Sequence, residues 1–268
     1  MQLCAAPGST EKVFENDFFM IVNPSPAGWQ VIYQQAHALL AAQLAYAWPA
    51  DVLPPDRWVG LLAAIAQHDD EQDAWCGRGG HHGLTPAGAP ANFTQLEFSL
   101  AQAQEVLAAA RFQGQWRSLL TSLHLSCLYE GLRGSKKEIT DFLDDLKTKQ
   151  TARIKALKIK KADAVRAYDL LYWTDRLSLI LCRQELPEMG RELEIHHYPF
   201  GKGSHYVSQP DGPDTAVVVR PWPFAAPKFE VSIEVSNLDR LAYADDADLA
   251  QALRTAPVET LRWTLARG

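Results

Sequence analysis

Cysteine is scarce in this chain of 268 residues: Cys4, Cys76, Cys127 and Cys182 lie far apart and no two form a CxxC pair. That spacing excludes a zinc knuckle and a dense disulfide framework, and it suits a reducing cytoplasm. Basic charge is in deficit too, with 26 Lys and Arg against 32 Asp and Glu and a formal net charge of -6. A general nucleic-acid binder needs a basic face for its phosphate contacts, so none is expected. No stretch approaches the roughly 18 uninterrupted apolar residues of a membrane-spanning helix. The opening MQLCAAPGSTEKVFEND has no basic region followed by an apolar run, which is the pattern of an export signal. The chain therefore reads as a soluble, cytoplasmic protein with no membrane partner. The GxSxG, GxGxxG and Walker A patterns are missing as well. A nucleotide would then be held by neither a P-loop nor a dinucleotide-binding turn, and no serine elbow is marked.

With 47% hydrophobic and 22% charged residues, the composition is that of an ordinary globular protein long enough to bury a full core. FFMIV at 18–22, the turn residues NPSPAG and then WQVI suggest a short N-terminal hairpin. From Tyr33 to Trp48, residues Tyr33, His37, Leu40 and Leu44 recur at helical spacing, and Pro49 follows. PPDRWVGLLAAIAQHDD reads as a second helix that ends at His68-Asp69. Residues 76–92 are rich in Gly, Pro and Ala and predict a loop that could cover a pocket, with His81 and His82 exposed in it. Helical periodicity returns over 95–111, 115–130 and 136–186, with the basic stretch KTKQTARIKALKIKK at 147–161 facing solvent. After Pro187, short strand-like runs broken by Pro and Gly surround one helix and end in VETLRWTLAR; His196, His197 and His205 fall in this part and read as solvated.

The chemistry concentrates in one ordered set: His37, the pair His68-Asp69, His124 and Asp175. His37, His124 and Asp175 each sit on the apolar stripe of a helix, and a carboxylate on such a stripe needs a partner. Helical proteins build metal sites in this way, from donors on separate helices. Imidazole and carboxylate together suit Mn, Fe, Co, Ni or Zn, whereas Mg prefers oxygen alone. Taken singly, an inward-facing His is more often a satisfied core residue; it is the set that points to a metal.

The order His, His-Asp, Asp resembles the HD-domain superfamily of metal-dependent phosphohydrolases, and TDRLSL around Asp175 is similar to the ending of that family's last motif. The resemblance covers residues 30–186 and implies a helical metal-binding core in which His37, His68, Asp69 and Asp175 are the ligands. It further implies that His124 stands where two-metal members place additional histidines, giving one or two ions. Where many nucleotidase-type members carry a Glu three residues after the HD Asp, this chain has Gln72, flanked by Glu71 and Asp73. QQAHALLAAQLA, AIAQHDD, SLHLSCLYE and WTDRLSLILC together also look like an uncharacterised branch of domain-of-unknown-function proteins.

The expected fold is therefore mainly α: an HD-like helical bundle over 18–190, opened by a short hairpin and followed by a smaller β-rich appendage over 191–268, with packing of that appendage against the hairpin left open. The expected activity is hydrolysis of a phosphorylated small molecule, a phosphomonoester, phosphodiester or nucleotide, by a metal-activated water. Asp70 and Glu71 are candidates to orient or deprotonate that water. Arg133, Arg176 and Lys136 are candidates to neutralise substrate phosphate, and Tyr129 is a weaker one. Two alternatives stay open. One is an oxygenase with two iron ions, which His124 would suit; the other is a non-catalytic metal-containing binding module that recruits a partner through its basic stretch and β-rich part.

If Asp69 is a ligand, Asp69→Ala protein purified under metal-replete conditions carries less metal than the wild type by elemental analysis. Equal metal contents would remove Asp69 from the ligand set.

Overall fold

The computed structural model describes residues 20–68, 83–92, 99–187, 189–212 and 215–268. Strands β1 (Met20–Ser25) and β2 (Gly28–Tyr33) form a hairpin, followed by helices α1 (Gln34–Tyr46), α2 (Pro55–Ala66), α3 (Leu100–Phe112), α4 (Gln115–Tyr129), α5 (Lys137–Ala156) and α6 (Lys161–Cys182). The chain then returns through β3 (Leu193–His197), β4 (Ser204–Ser208), β5 (Val217–Arg220), β6 (Lys228–Leu238), α7 (Asp246–Thr255) and β7 (Val258–Ala266). No helix among the described residues is long and apolar enough to cross a membrane.

The expectation of a mainly α protein is corrected. Helix accounts for about 49% and strand for 21%, and one curled half-barrel sheet of seven strands makes the protein mixed α/β. The sheet runs in the order β1-β2-β6-β7-β5-β4-β3, so the opening hairpin and the strands after residue 190 belong to a single layer. The join is β2 against β6, antiparallel, with Trp29 opposite Leu238 and Val31 opposite Ser236. Sequence periodicity shows each strand but not its partner, so it leaves open the packing of the hairpin with the later strands that the β2–β6 pairing realises. Gly28 makes the join sterically feasible, since a Cβ there would press into the Leu238 carbonyl.

Helix α6 is the centre of the molecule. Ala164, Ala167, Leu170, Leu171, Trp173, Leu177, Ile180 and Leu181 are buried along it, more than a single stripe, so it is enclosed on several sides. One apolar core joins residues of α1, α2, α4 and α6 to inward residues of the sheet, including Val207, Val219, Val231 and Ile233. The basic stretch is divided between the end of α5 and the start of α6. They meet at a turn in which Lys158 takes a left-handed φ of 53°.

His205 departs from its expected solvated role. It is fully buried on β4, with its ring centroid 4.6 Å from Tyr198, 5.5 Å from Trp173 and 6.1 Å from Trp48. Neither ring nitrogen has a hydrogen-bond partner among the described residues. Burial pushes its pKa down from 6.5 to about 4, so the folded protein holds it neutral at pH values where the unfolded chain protonates it.

The unfolded state therefore gains a proton first as pH falls through 6.5, and stability drops until the folded pKa is passed. Between pH 7 and pH 5 this one group removes about 2 kcal/mol. His205→Leu should flatten that dependence in urea denaturation at the two pH values; the same slope in the variant would show that the acid sensitivity arises elsewhere.

Candidate metal centre

Three helices and one helix terminus converge beneath the sheet. His37 comes from α1, where Gln34, Ala38, Leu40 and Leu44 are also buried. His124 comes from α4 and Asp175 from α6. His68 lies two residues past the end of α2, where its backbone N–H donates to the Ile65 carbonyl at 3.4 Å. All four side chains are buried, Asp175 being the most accessible at 8%.

One ligand atom each from His37, His68 and Asp175 lies within 4.8 Å of the others. Asp175 Oδ1 is 3.3 Å from His68 Nε2 and 3.9 Å from His37 Nε2. His124 stands behind His68, ring centroids 5.3 Å apart and edge to face, while His37 and His68 are related similarly at 5.1 Å. An ion with bonds of roughly 2.0–2.2 Å holds its ligands about 3–3.5 Å apart. The observed spacings need only a slight contraction to accommodate one.

Local hydrogen bonds set which nitrogens face inward. The Ser178 hydroxyl spends its single proton on the Asp175 carbonyl (2.8 Å), so its oxygen must accept from His37 Nδ1–H, also at 2.8 Å. His68 Nδ1 lies 2.6 Å from the Ile65 carbonyl; a carbonyl only accepts, so this nitrogen carries a proton too. In their neutral forms both imidazoles then turn an Nε2 lone pair towards a carboxylate. Three electron-rich atoms facing one another in a buried space demand a positive charge, either a proton on an imidazole or a metal ion. The carbonyl end of α2 adds partial negative charge at the same place.

The electrostatics of Asp175 show the same demand. Burial alone would push its carboxyl up, but His68 first, and then His37 and His124, outweigh burial and hold it below the usual carboxylate range. The residues fit a borderline divalent ion through two nitrogens and one oxygen, with the remaining positions open to further ligands.

Of the remaining sequence candidates, Asp69, Asp70 and Glu71 lie outside the described residues, as do Gln72, His81 and His82. Arg133 is engaged on the surface by Glu130 at 2.7 Å and Asp144 at 2.8 Å. These pairings raise its pKa, with Glu130 contributing most, and the geometry does not turn it towards the three donors. Lys136 is exposed, and Arg176 is half-buried on α6 next to Asp175.

Three residues of the centre escaped the sequence reading. Ser178 stood inside the quoted TDRLSL run without a role. Arg117, buried on α4, donates to the Gln67 carbonyl at 2.8 Å and to Thr121, so it ties the end of α2, and with it His68, to α4. Its signal was helical spacing: Arg117 and His124 are seven residues apart and share a face. Tyr168 packs 6.1 Å from His124 by ring centroid, and its hydroxyl is buried beside the Cys127 thiol. Burial, and then the neighbouring Cys127 thiol, push its pKa up, so it enters the centre as a neutral phenol.

A family model described as "Protein of unknown function (DUF3891)" matches residues 20–240. No curated protein and no solved structure matches the chain.

Removing the Ser178 hydroxyl releases His37 without touching any donor atom. Ser178→Ala should weaken Co(II) or Zn(II) binding by about 10- to 100-fold in competition with a chromophoric chelator, and Ser178→Thr should restore most of it. Unchanged affinity in the Ala variant would mean that His37 is not oriented by this bond or is not a ligand.

Proposed function

The chain belongs to the DUF3891 family of proteins of unknown function, and from that starting point we propose that it is a metal-dependent phosphohydrolase acting on a phosphorylated small molecule. The observation that carries this reading is the meeting of His37, His68 and Asp175 in one buried space, with both imidazoles turned Nε2-inward by Ser178 and Ile65. Their order along the chain, with Asp69 next to His68, is that of the HD-domain resemblance and supports the same conclusion. His37, His68, Asp69 and Asp175 would hold one ion, and His124 would take part in holding a second. Bound there, a divalent ion supplies a water of lowered pKa at neutral pH and a Lewis acid for a phosphoryl oxygen.

The protein's own groups account for the rest of the chemistry. Asp175 is kept ionised by its imidazole neighbours, so it offers a full negative charge at neutral pH without needing to lose a proton first. Asp70 and Glu71 follow the ligand pair in sequence and are the candidates to orient or deprotonate an attacking water. Arg176, beside Asp175 on α6, is the candidate to neutralise substrate phosphate. A net charge of -6 favours a small substrate gripped locally over a polyanion attracted over a broad face. We place the reaction in the cytoplasm, where Cys127 and Cys182, free of disulfides, stay reduced.

One observation favours a second reading. His124 lies edge to face with His68 and beside the Tyr168 phenol, which suits two iron ions and an oxygenase.

Protein loaded in turn with Mn, Co, Zn and Fe, and assayed against phosphomonoesters, phosphodiesters and nucleotides, should release phosphate or a phosphomonoester product. Asp175→Asn should lower that activity at least 100-fold. Iron content of about two per chain, an absorption spectrum that changes on exposure to oxygen and no phosphoester turnover would instead establish the oxygenase. Full metal loading with neither activity would leave a binding module.

A further inference from the structure

A second group of donors lies outside the buried centre, where the outermost strand of the sheet meets α6. We propose that Asp169, His196 and His197 form a separate site for a borderline divalent ion such as Zn(II), Co(II), Ni(II) or Cu(II), clasping β3 to α6. One ligand atom from each lies within 4.8 Å of the others. His197 Nε2 is 3.1 Å from Asp169 Oδ2, and the rings of His196 and His197 are only 3.8 Å apart by centroid.

That closeness is not what a regular strand provides, since successive side chains point to opposite faces. The ladder between β3 and β4 shifts register between Glu194 and His196, and such a bulge re-aims side chains locally. A single imidazole would be enough to pair with Asp169. Two beside one carboxylate repel each other if both are protonated, yet they are the two-nitrogen, one-oxygen set that a borderline ion prefers. Burial holds His196 below its ordinary pKa, and the neighbouring His197 adds to the effect; it is therefore neutral, the ligating form, near pH 7. Tyr172 packs on His196 at 4.6 Å between ring centroids and limits its motion from the helix side.

The placement gives the ion something to do. β3 is an outer strand of the sheet, with an open row of backbone groups on one side, and its contact with α6 is the joint between sheet and helices at that end. Asp169 precedes Asp175 by six residues on the same helix, about 9 Å along its axis. The outer ion would therefore brace the helix that carries the inner carboxylate. With His197 half-exposed, water fills the remaining coordination positions and the ion exchanges with solvent.

The test is calorimetric titration of Zn(II) into the full chain after metal removal by chelation, with circular dichroism to confirm folding. Wild type should take up one equivalent more than His197→Ala, and Asp169→Asn should show the same deficit. Asp175→Asn should retain this equivalent while losing the inner one, so that failure here is distinguishable from failure of the phosphohydrolase reading. Equal Zn(II) uptake by wild type and both outer-site variants would overturn the proposal and leave His197 and Asp169 as an ordinary ion pair. As an independent readout, added Zn(II) should raise the melting temperature of wild type more than that of His197→Ala.

Discussion

A carboxylate that stays charged inside a protein core makes severe demands on everything around it. Asp175 lies on a helix buried on several sides, and water cannot solvate it there as it would at the surface. Imidazoles from α1, from the end of α2 and from α4 surround it, so three separate chain segments must arrive in register before the charge is compensated. The apolar residues of α1, α2, α4 and α6 form one core, and the packing that buries them also brings these imidazoles to the carboxylate. Arg117 and Ser178 extend the arrangement outward by fixing, respectively, the helix end that carries His68 and the ring plane of His37.

The sheet has a different part in the same construction. It covers the sides of the helices that do not face the donors and seals α6 with Val207, Val219, Val231 and Ile233. The aromatic group around Trp48, Trp173 and His205 fills the space between helix and sheet with rings packed mostly edge to face. Trp173 stands two residues from Asp175 on α6, so the apolar seal and the charged centre are built on neighbouring positions of one helix. A shift of α6 against the sheet would displace both together.

How much of this could be read from the chain depended on whether the signal was local. His37, His124 and Asp175 announced themselves because each interrupts an apolar stripe, a pattern visible within a single helix. The hairpin, α7 and β7 were legible for the same reason. The sheet was not: β2 pairs with β6 across some 200 residues, and no periodicity within either strand names its partner. His205 was misread because a short strand between Gly-rich turns looks solvated, while its burial comes from Trp48 and Trp173, far away in sequence. Ser178 and Arg117 carry no chemistry of their own, and their importance is visible only once the groups they hold are in place.

The order of strands has a consequence for how the chain comes to its final form. β7, the last of the seven in sequence, lies in the interior of the sheet, antiparallel to β6 on one side and parallel to β5 on the other. Until it is in place, β1-β2-β6 and β5-β4-β3 are two disconnected three-stranded ribbons, each with a bare inner margin. On a ribosome the helices can collapse around α6 long before this last segment emerges, so closure of the sheet is a late event that depends on contacts distant in sequence. Until β7 has added to the sheet, the inner margins of β6 and β5 are open rows of backbone donors and acceptors, the exposure that a seam made last entails.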